Sequence, residues 1–386
     1  MPLVKKIRMG MIGGGEGAFI GAVHRHAAAL DGQYELVCGA FSRDGGNNQR
    51  TADSLGITSD SVYASWEAML ESEAAKAENE RMQVVVIVTP NHLHVPISKA
   101  AIKHGFHVFC EKPAGANFAE VNELADVLRA SDRLYGLAHT YLGYPMVWQA
   151  KHMVEQGDIG KVRKVLVEYP QGWLSAPEEA DNKQASWRTD PAQAGGSGCM
   201  GDIGTHAFSM AEFVIGDTVS HLCAQMNTVV EGRRLDDDGA AFLKTSGGAT
   251  GVLIASQVCA GEENGLKIRV YGDKGGLEWL QMEPNSLIFR PVDAPYQVLR
   301  AGLGQPGLCD EAVSRCRIPG GHPEGYLEAM ANLYTSFANA VRNGDKHTAD
   351  GVPGIVYGQR GMAFIETMVE SGASDTKWLP VPGLQL

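Results

Sequence analysis

Five glycines fall within nine residues, Gly13, Gly14, Gly15, Gly17 and Gly21, directly after the apolar run at residues 7–12. A chain that leaves a strand through such a loop and enters a helix at residues 22–30 has few ways to continue. The order strand, glycine loop, helix opens a βαβ unit, which needs a second parallel strand and then repeats. The repeats follow. Residues 34–41, 107–110 and 134–139 read as strands, as do Val84, Val85, Val86, Ile87 and Val88, an unbroken apolar run suited to a strand buried on both faces. Helical periodicity covers residues 48–55, 66–77, 96–104 and 118–130 between them. Strand–helix alternation predicts a doubly wound parallel sheet.

The pattern changes near residue 145. A helix at 145–155 is followed by strand-like runs at 162–169, 219–230, 240–245, 251–258 and 266–271, with glycine-rich turns between them. This predicts a second α/β domain with a large open, mostly antiparallel sheet. One helix at 202–215 interrupts the strands, and helices at 326–342 and 356–370 close the chain. The expected organisation is a domain at 1–145 and another at 146–386, the closing helices packing back on the first. The acidic runs at 71–81 and at Asp236, Asp237 and Asp238 read as solvated faces or turns.

Composition narrows the function classes. The formal charge is −12 over 386 residues, which disfavours nucleic-acid binding, a role that needs clustered Lys and Arg. No apolar run approaches the ~20 residues of a membrane span. The N-terminal basic and apolar stretch is interrupted by Glu16 and glycines and reads as part of the fold, not as a leader. Seven cysteines without a Cys-x-x-Cys pair suggest reduced thiols in a cytoplasmic protein. The histidine pairs His24/His26, His92/His94 and His104/His107 lack the further ligands of a metal site, so no metal is expected.

The glycine loop carries the first chemistry. Glycines let the backbone turn tightly and approach a pyrophosphate, while the next helix offers unpaired N–H groups to that anion. Gly13 and Gly15 begin the pattern. Ala18 stands at its standard third position, but Gly21 is the preferred third glycine because it opens the helical stretch. The second strand ends Ala40-Phe41-Ser42-Arg43-Asp44. An acid here would bind the adenosine ribose, and Asp44 is in reach. Ser42 with Arg43 suits a 2′-phosphate. NAD and NADP both remain open.

More specific motifs follow in order: Thr89-Pro90-Asn91-His92-Leu93-His94, Glu111-Lys112-Pro113, Trp187-Arg188-x-Asp190-Pro191, Gly195-Gly196, and Asp202-Ile203-Gly204-Thr205-His206. The ordered set resembles the glucose–fructose oxidoreductase / inositol dehydrogenase / rhizopine-catabolism (Gfo/Idh/MocA) family, across nearly the whole chain. The resemblance implies an N-terminal Rossmann domain and an NAD(P)-dependent oxidoreductase acting on a hydroxyl-bearing carbon of a sugar, cyclitol or related polyol. It places Thr89, Pro90 and Asn91 along the nicotinamide half of the cofactor, with His94 in the same cofactor-binding set. It gives Glu111 a cofactor contact, Lys112 a place facing substrate, and Asp202 and His206 the remainder of the catalytic group. It also implies a homo-oligomer, a dimer or tetramer.

The residue types suit the chemistry. Alcohol oxidation needs the hydroxyl proton removed and charge on oxygen stabilised. A histidine exchanges protons near neutrality, and Lys112 supplies a cation. Asp202 and His206, four apart, share a helix face. Trp187, Arg188 and Tyr141 are candidate substrate contacts; Tyr144 and His152 are further pocket candidates. Many relatives carry an arginine where this chain reads Tyr141-Leu142-Gly143-Tyr144-Pro145, so no particular substrate transfers. Two other functions use the same motifs: a glycoside hydrolase that oxidises its sugar transiently with NAD, eliminates the aglycone and reduces back, and a non-enzymatic NAD(P)-binding sensor.

Overall fold

The computed structural model describes residues 5–177, 188 and 190–384; the candidate Trp187 lies outside them. The chain divides into two compact units, Met1–Ala138 with Met330–Gln359, and His139–Ala329 with Arg360–Leu386.

The first unit is built on five parallel strands, β1 (Ile7–Gly13), β2 (Tyr34–Ala40), β3 (Val84–Val88), β4 (His107–Cys110) and β5 (Tyr135–Leu137), in the order β2-β1-β3-β4-β5. The order reverses at β1, which pairs with both β2 and β3. That reversal opens a crevice at the carboxyl ends of the strands, where such sheets bind ligands. All five residues of β3 are buried, as a central strand covered on both faces requires. The connecting helices are α1 (Phe19–Leu30), α2 (Gly45–Ser54), α3 (Trp66–Ala75), α4 (His94–Lys103) and α5 (Phe118–Arg129). Three of them start at a side-chain cap: Asp44 accepts from Asn47 N–H, Ser65 from Ala68 N–H and Asn117 from Glu120 N–H. The Asp44 cap explains why α2 begins at Gly45, three residues before the apolar pattern predicts.

Part of the acidic run at 71–81 is not a solvated face. Glu73 is fully buried and accepts hydrogen bonds from Tyr63 Oη (2.7 Å), Lys76 Nζ (2.6 Å) and Met82 N–H (2.9 Å). Together these bonds outweigh the cost of burying its charge and hold its pKa below the usual carboxylate range. Residues 330–359 complete the unit. Phe337 stacks edge-on against Phe109 of β4, and Leu137 N–H donates to the Pro353 carbonyl.

The second unit holds a nine-stranded mixed sheet. Its elements are α6 (Pro145–Glu155), β6 (Val162–Pro170), α7 (Thr205–Ile215), β7 (Val219–Asn227), β8 (Asp238–Thr245), β9 (Thr250–Ser256), β10 (Lys267–Gly272), β11 (Gly275–Leu280), β12 (Ser286–Pro291), β13 (Gln297–Arg300) and β14 (Trp378–Pro380). The strand order is β13-β12-β11-β10-β6-β9-β8-β7-β14. Only β6 and β9 pair in parallel; the other neighbours are antiparallel. Strands β11 to β14 escape the periodicity reading because β11 opens on two glycines and β13 and β14 are three or four residues long. Helices α6 and α7 pack on one face of the sheet. Two long helices, α8 (Tyr326–Asn343) and α9 (Ile355–Ala373), close the chain. Among the described residues no helix is long and apolar enough to cross a membrane.

His107 on β4 makes the first unit sensitive to acid. Its Nδ1 accepts the Leu134 N–H at 3.0 Å, which only an unprotonated nitrogen can do. Burial and the nearby Arg133 charge lower its pKa to about 4. The unfolded chain therefore takes up this proton near pH 6.5 and the folded chain near 4. The stabilisation is complete above about pH 6.5 and is lost as pH falls through 4, amounting to roughly 3 kcal/mol. Chemical denaturation across this window is expected to show stability rising with pH, with a shallower slope in His107→Asn; an unchanged slope would refute the assignment.

Candidate functional site

The glycine loop of the first unit is shaped by close approach. A Cβ on Gly21 would lie 2.4 Å from the Gly14 Cα, and one on Gly13 would lie 2.5 Å from the Val88 carbonyl. Gly13 and Gly14 have φ of +83° and +72°, a region that L side chains rarely adopt. Helix α1 begins at Phe19, and Gly21 sits in its first turn, packed on the loop. The loop is also tied to the tip of β2: Gly15 N–H donates to the Phe41 carbonyl (3.1 Å) and Asn47 Nδ2 to the Glu16 carbonyl (2.9 Å). Ala18 precedes α1, no side chain caps the helix, and its first turn carries no acid. Its leading N–H groups and the positive end of its dipole suit an anion.

At the tip of β2, Ser42 Oγ accepts the Asp44 N–H (3.1 Å), while the Asp44 carboxylate is engaged as the cap of α2. Arg43 is exposed.

Thr89, Pro90 and Asn91 follow β3 directly, with Asn91 buried. His94 is placed differently from expectation. It is 1% exposed, with Nδ1 2.7 Å from the Pro113 carbonyl and Nε2 2.8 Å from the Thr89 carbonyl. Burial lowers its pKa against the pull of these two carbonyls, so the neutral ring donates to one of them at a time. Both nitrogens face main chain, so His94 braces the Thr89 and Pro113 loops and offers no polar atom to a cofactor.

The Glu111-Lys112-Pro113 segment rests on a buried chain that sequence reasoning missed. His24 on α1 is fully buried; its Nε2 lies 2.8 Å from Glu111 Oε1 and its Nδ1 2.6 Å from Tyr334 Oη. One tautomer satisfies the set: Tyr334 donates to Nδ1, and Nε2–H donates to the carboxylate. Glu111 Oε2 also accepts the Lys112 N–H at 3.1 Å. Burial pushes the Glu111 pKa up, but the His24 hydrogen bond and the nearby charges outweigh it and hold the carboxyl below its ordinary value. Lys112 is half-buried beside it. The one sequence signal for His24 is its place one turn after Gly21 on the same helix; Tyr334, 310 residues away, has none.

In the second unit, Asp202 lies not in a regular α-helix but in a π-helical turn, Met200–Gly204, that leads into α7. Such turns are rare and recur at functional sites. Asp202 Oδ2 accepts from Gln257 Nε2 (2.9 Å) and Arg188 Nε (3.2 Å). The Arg188 guanidinium lies 6.0 Å from the Trp173 ring centroid. His206 opens α7, its ring edge-on to Tyr141 (4.8 Å between centroids) and to His139 (5.4 Å). Tyr141 is buried, and its hydroxyl joins the Tyr169 hydroxyl and the Asn264 side-chain amide in a network: Asn264 Nδ2 donates to Tyr141 Oη (3.1 Å), and Tyr169 Oη donates to Asn264 Oδ1 (2.6 Å). Gln171 Nε2 extends it, 2.7 Å from Asn264 Oδ1.

The triple-aspartate run overturns the expectation of a solvated turn. Asp236 and Asp237 are buried. Asp236 accepts the N–H groups of Gly198 (2.7 Å) and Met200 (2.8 Å), pinning the entrance to the π turn. Burial pushes its pKa up while those two N–H groups oppose the rise. Asp237 accepts from Val229 N–H, Val230 N–H and Arg233 Nη1, and its carbonyl accepts the Gln257 N–H at 2.9 Å. The pair therefore holds Asp202 from two sides, through its own turn and through Gln257. Tyr144 packs at 5.4 Å from Trp279 and is 2% exposed, a core residue and not a pocket wall.

A five-stranded parallel sheet with a glycine loop at its switch point, joined to a second unit with a large open sheet, defines a nucleotide-binding α/β protein. Residues 7–139 match the family model of an oxidoreductase family with an NAD-binding Rossmann fold, and residues 147–278 match that of the GFO/IDH/MocA C-terminal domain. The chain is 32% identical over 384 residues, 97% of each chain, to the uncharacterized oxidoreductase YfiI of Bacillus subtilis. A crystal structure of an inositol dehydrogenase homolog from Azotobacter vinelandii complexed with NAD+ superposes with a TM-score of 0.92 at 35% identity, covering 98% of both chains. The same homolog with NADH and myo-inositol gives 0.90 at 33%, again over 98% of both. The chain belongs to the Gfo/Idh/MocA oxidoreductase family, and its Rossmann unit binds NAD(P).

The His24 pair yields a stability prediction. His24→Phe leaves a buried carboxylate without its partner and is expected to cost about 3 kcal/mol. Tyr334→Phe removes one neutral donor and is expected to cost about 1 kcal/mol. Urea midpoints at constant slope would check both; an equal or smaller loss for His24→Phe contradicts the proposed support of Glu111.

Proposed function

We propose that this protein is an NAD(P)-dependent dehydrogenase that moves a hydride between nicotinamide and a hydroxyl-bearing carbon of a sugar, cyclitol or related polyol. The observation that carries the reading is the π turn presenting Asp202 just ahead of His206, with Asp202 held by Gln257 and Arg188, in a chain that also keeps Lys112 on its braced loop. The inositol dehydrogenase homolog, solved with myo-inositol, and the levoglucosan dehydrogenase of Pseudarthrobacter phenanthrenivorans, 31% identical over 51% of this chain and 55% of its own, support the substrate class.

The nicotinamide, when bound, supplies the hydride acceptor, and the protein supplies orientation and electrostatics. Gly13, Gly14, Gly15 and Gly21 hold the loop and the α1 N-terminus for the pyrophosphate. Thr89, Pro90 and Asn91 line the nicotinamide half, and Ser42 and Arg43 take the adenosine end. His206 accepts the hydroxyl proton at a ring nitrogen, and its edge contacts with Tyr141 and His139 fix the ring plane. Lys112 donates a hydrogen bond to the substrate oxygen and favours its alkoxide character. Asp202, held by Gln257 and Arg188, accepts a substrate hydroxyl. Arg188 and Tyr141 fix further hydroxyls.

Reduced-nicotinamide absorbance with a panel of cyclitols, aldoses and anhydrosugars tests the reading; turnover with one polyol class supports it, and cofactor binding without turnover on any member refutes it. Lys112→Ala and His206→Ala are each expected to lower kcat by at least ~10²-fold with cofactor affinity retained, the loss typical of acid–base groups. Unchanged turnover in both variants removes the site assignment.

A second copy of the chain is the expected partner. One register row crosses all nine strands of the large sheet on the face opposite α6 and α7: Trp378, Cys223, Phe242, Val252, Leu166, Arg269, Glu278, Ile288 and Val298. Phe242 is 58% and Trp378 40% exposed, and a largely apolar row, broken only by Arg269 and Glu278, marks an interaction surface. Sedimentation is expected to show a dimer or tetramer that Phe242→Glu dissociates; a wild-type monomer at micromolar concentration contradicts it.

A further inference from the structure

Away from these groups, the second unit brings together three side chains whose chemistry the dehydrogenase reading does not use. The ligand atoms of His152, Cys309 and Glu311 all lie within 4.8 Å of one another. His152 projects from the last turn of α6, and the other two come from a segment more than 150 residues later, so no sequence spacing announces the set. The segment is held before any ligand arrives. Gln149, 2% exposed and one turn before His152, accepts the Cys309 N–H through Oε1 at 2.8 Å. Arg315 Nη1 donates to the Glu311 carbonyl at 2.8 Å, and its guanidinium stacks 3.6 Å from the Trp148 ring centroid on α6. Cys309 and His152 are therefore fixed to the same helix from both sides.

We propose that His152, Cys309 and Glu311 form a zinc-binding site. One thiolate, one imidazole and one carboxylate make a ligand set of the type that zinc takes, in which ligand atoms sit roughly 3–4 Å apart around a tetrahedral ion. Small rotations of the half-exposed His152 and the exposed Glu311 close the present separations. Thiolate and imidazole disfavour magnesium and calcium, which take oxygen ligands. The two anionic ligands neutralise the ion. Glu311 is on the surface, so the fourth position is open to water.

The test is zinc titration of the full chain against a chromogenic chelator, with circular dichroism confirming that each variant folds. The wild type is expected to hold one zinc per chain. Cys309→Ser and His152→Ala are each expected to weaken it at least ~100-fold, because even groups that only orient a ligand are worth ~10–100-fold. Glu311→Gln, a surface change, gives a smaller loss and guards against misfolding of the other two. His206→Ala is expected to retain the zinc. No zinc on the wild type, retention in both Cys309→Ser and His152→Ala, or loss in His206→Ala overturns the proposal.

Discussion

The contact between Gly14 and Gly21 sets the geometry of the first unit. With no Cβ on either residue, the start of α1 lies against the loop that leaves β1. The depth of α1 then decides where its next turn falls. His24, three residues on, is carried into the core, where it meets the Glu111 carboxylate and the Tyr334 hydroxyl. Arg25 Nη1, beside it, donates to the Gly14 carbonyl at 2.7 Å and ties the helix back to the loop. The glycine loop, proposed to take the pyrophosphate, and the loop that carries Lys112 are thus set by one helix. A larger residue at Gly21 would disturb both.

The second unit solves a parallel problem with carboxylates. A π turn holds its residues in a register that no ordinary helix enforces, and Asp236 anchors its entrance by accepting the N–H groups of Gly198, just before it, and of Met200, its first residue. The Asp237 carbonyl accepts the N–H of Gln257, the residue just after β9, and Gln257 then holds Asp202. Buried carboxylates that accept several N–H groups rigidify a site at little net cost, because every acceptor is matched. The Tyr141, Tyr169 and Asn264 network stands beside His206 in the same way.

The architecture was legible in the sequence wherever one physical rule dominates. The five-residue run of β3 and the glycines after β1 sufficed for a doubly wound sheet, and Pro145 marked the start of α6 correctly. Helix starts shifted where a side chain chose the boundary, as Asp44 does for α2. Short edge strands such as β13 and β14 pair through the backbone alone and leave no periodic signal. At the candidate site, the motif residues stand out by their order along the chain, but the residues that support them do not. His24, Asp236 and Gln257 act through long-range hydrogen bonds, and nothing in local spacing distinguishes a buried aspartate bound to backbone N–H groups from a solvated one. His94 shows the converse: it sits within a motif, yet both ring nitrogens face main-chain carbonyls.

The central claim is that a hydride passes directly from a polyol carbon to the nicotinamide. Mass spectrometry of the cofactor after reaction with a polyol deuterated at each carbinol carbon in turn tests this most directly. The account predicts that deuterium from one position is recovered on the reduced nicotinamide ring, with a slowed rate for that isotopologue alone. Turnover of substrate with no deuterium transferred from any position would contradict it.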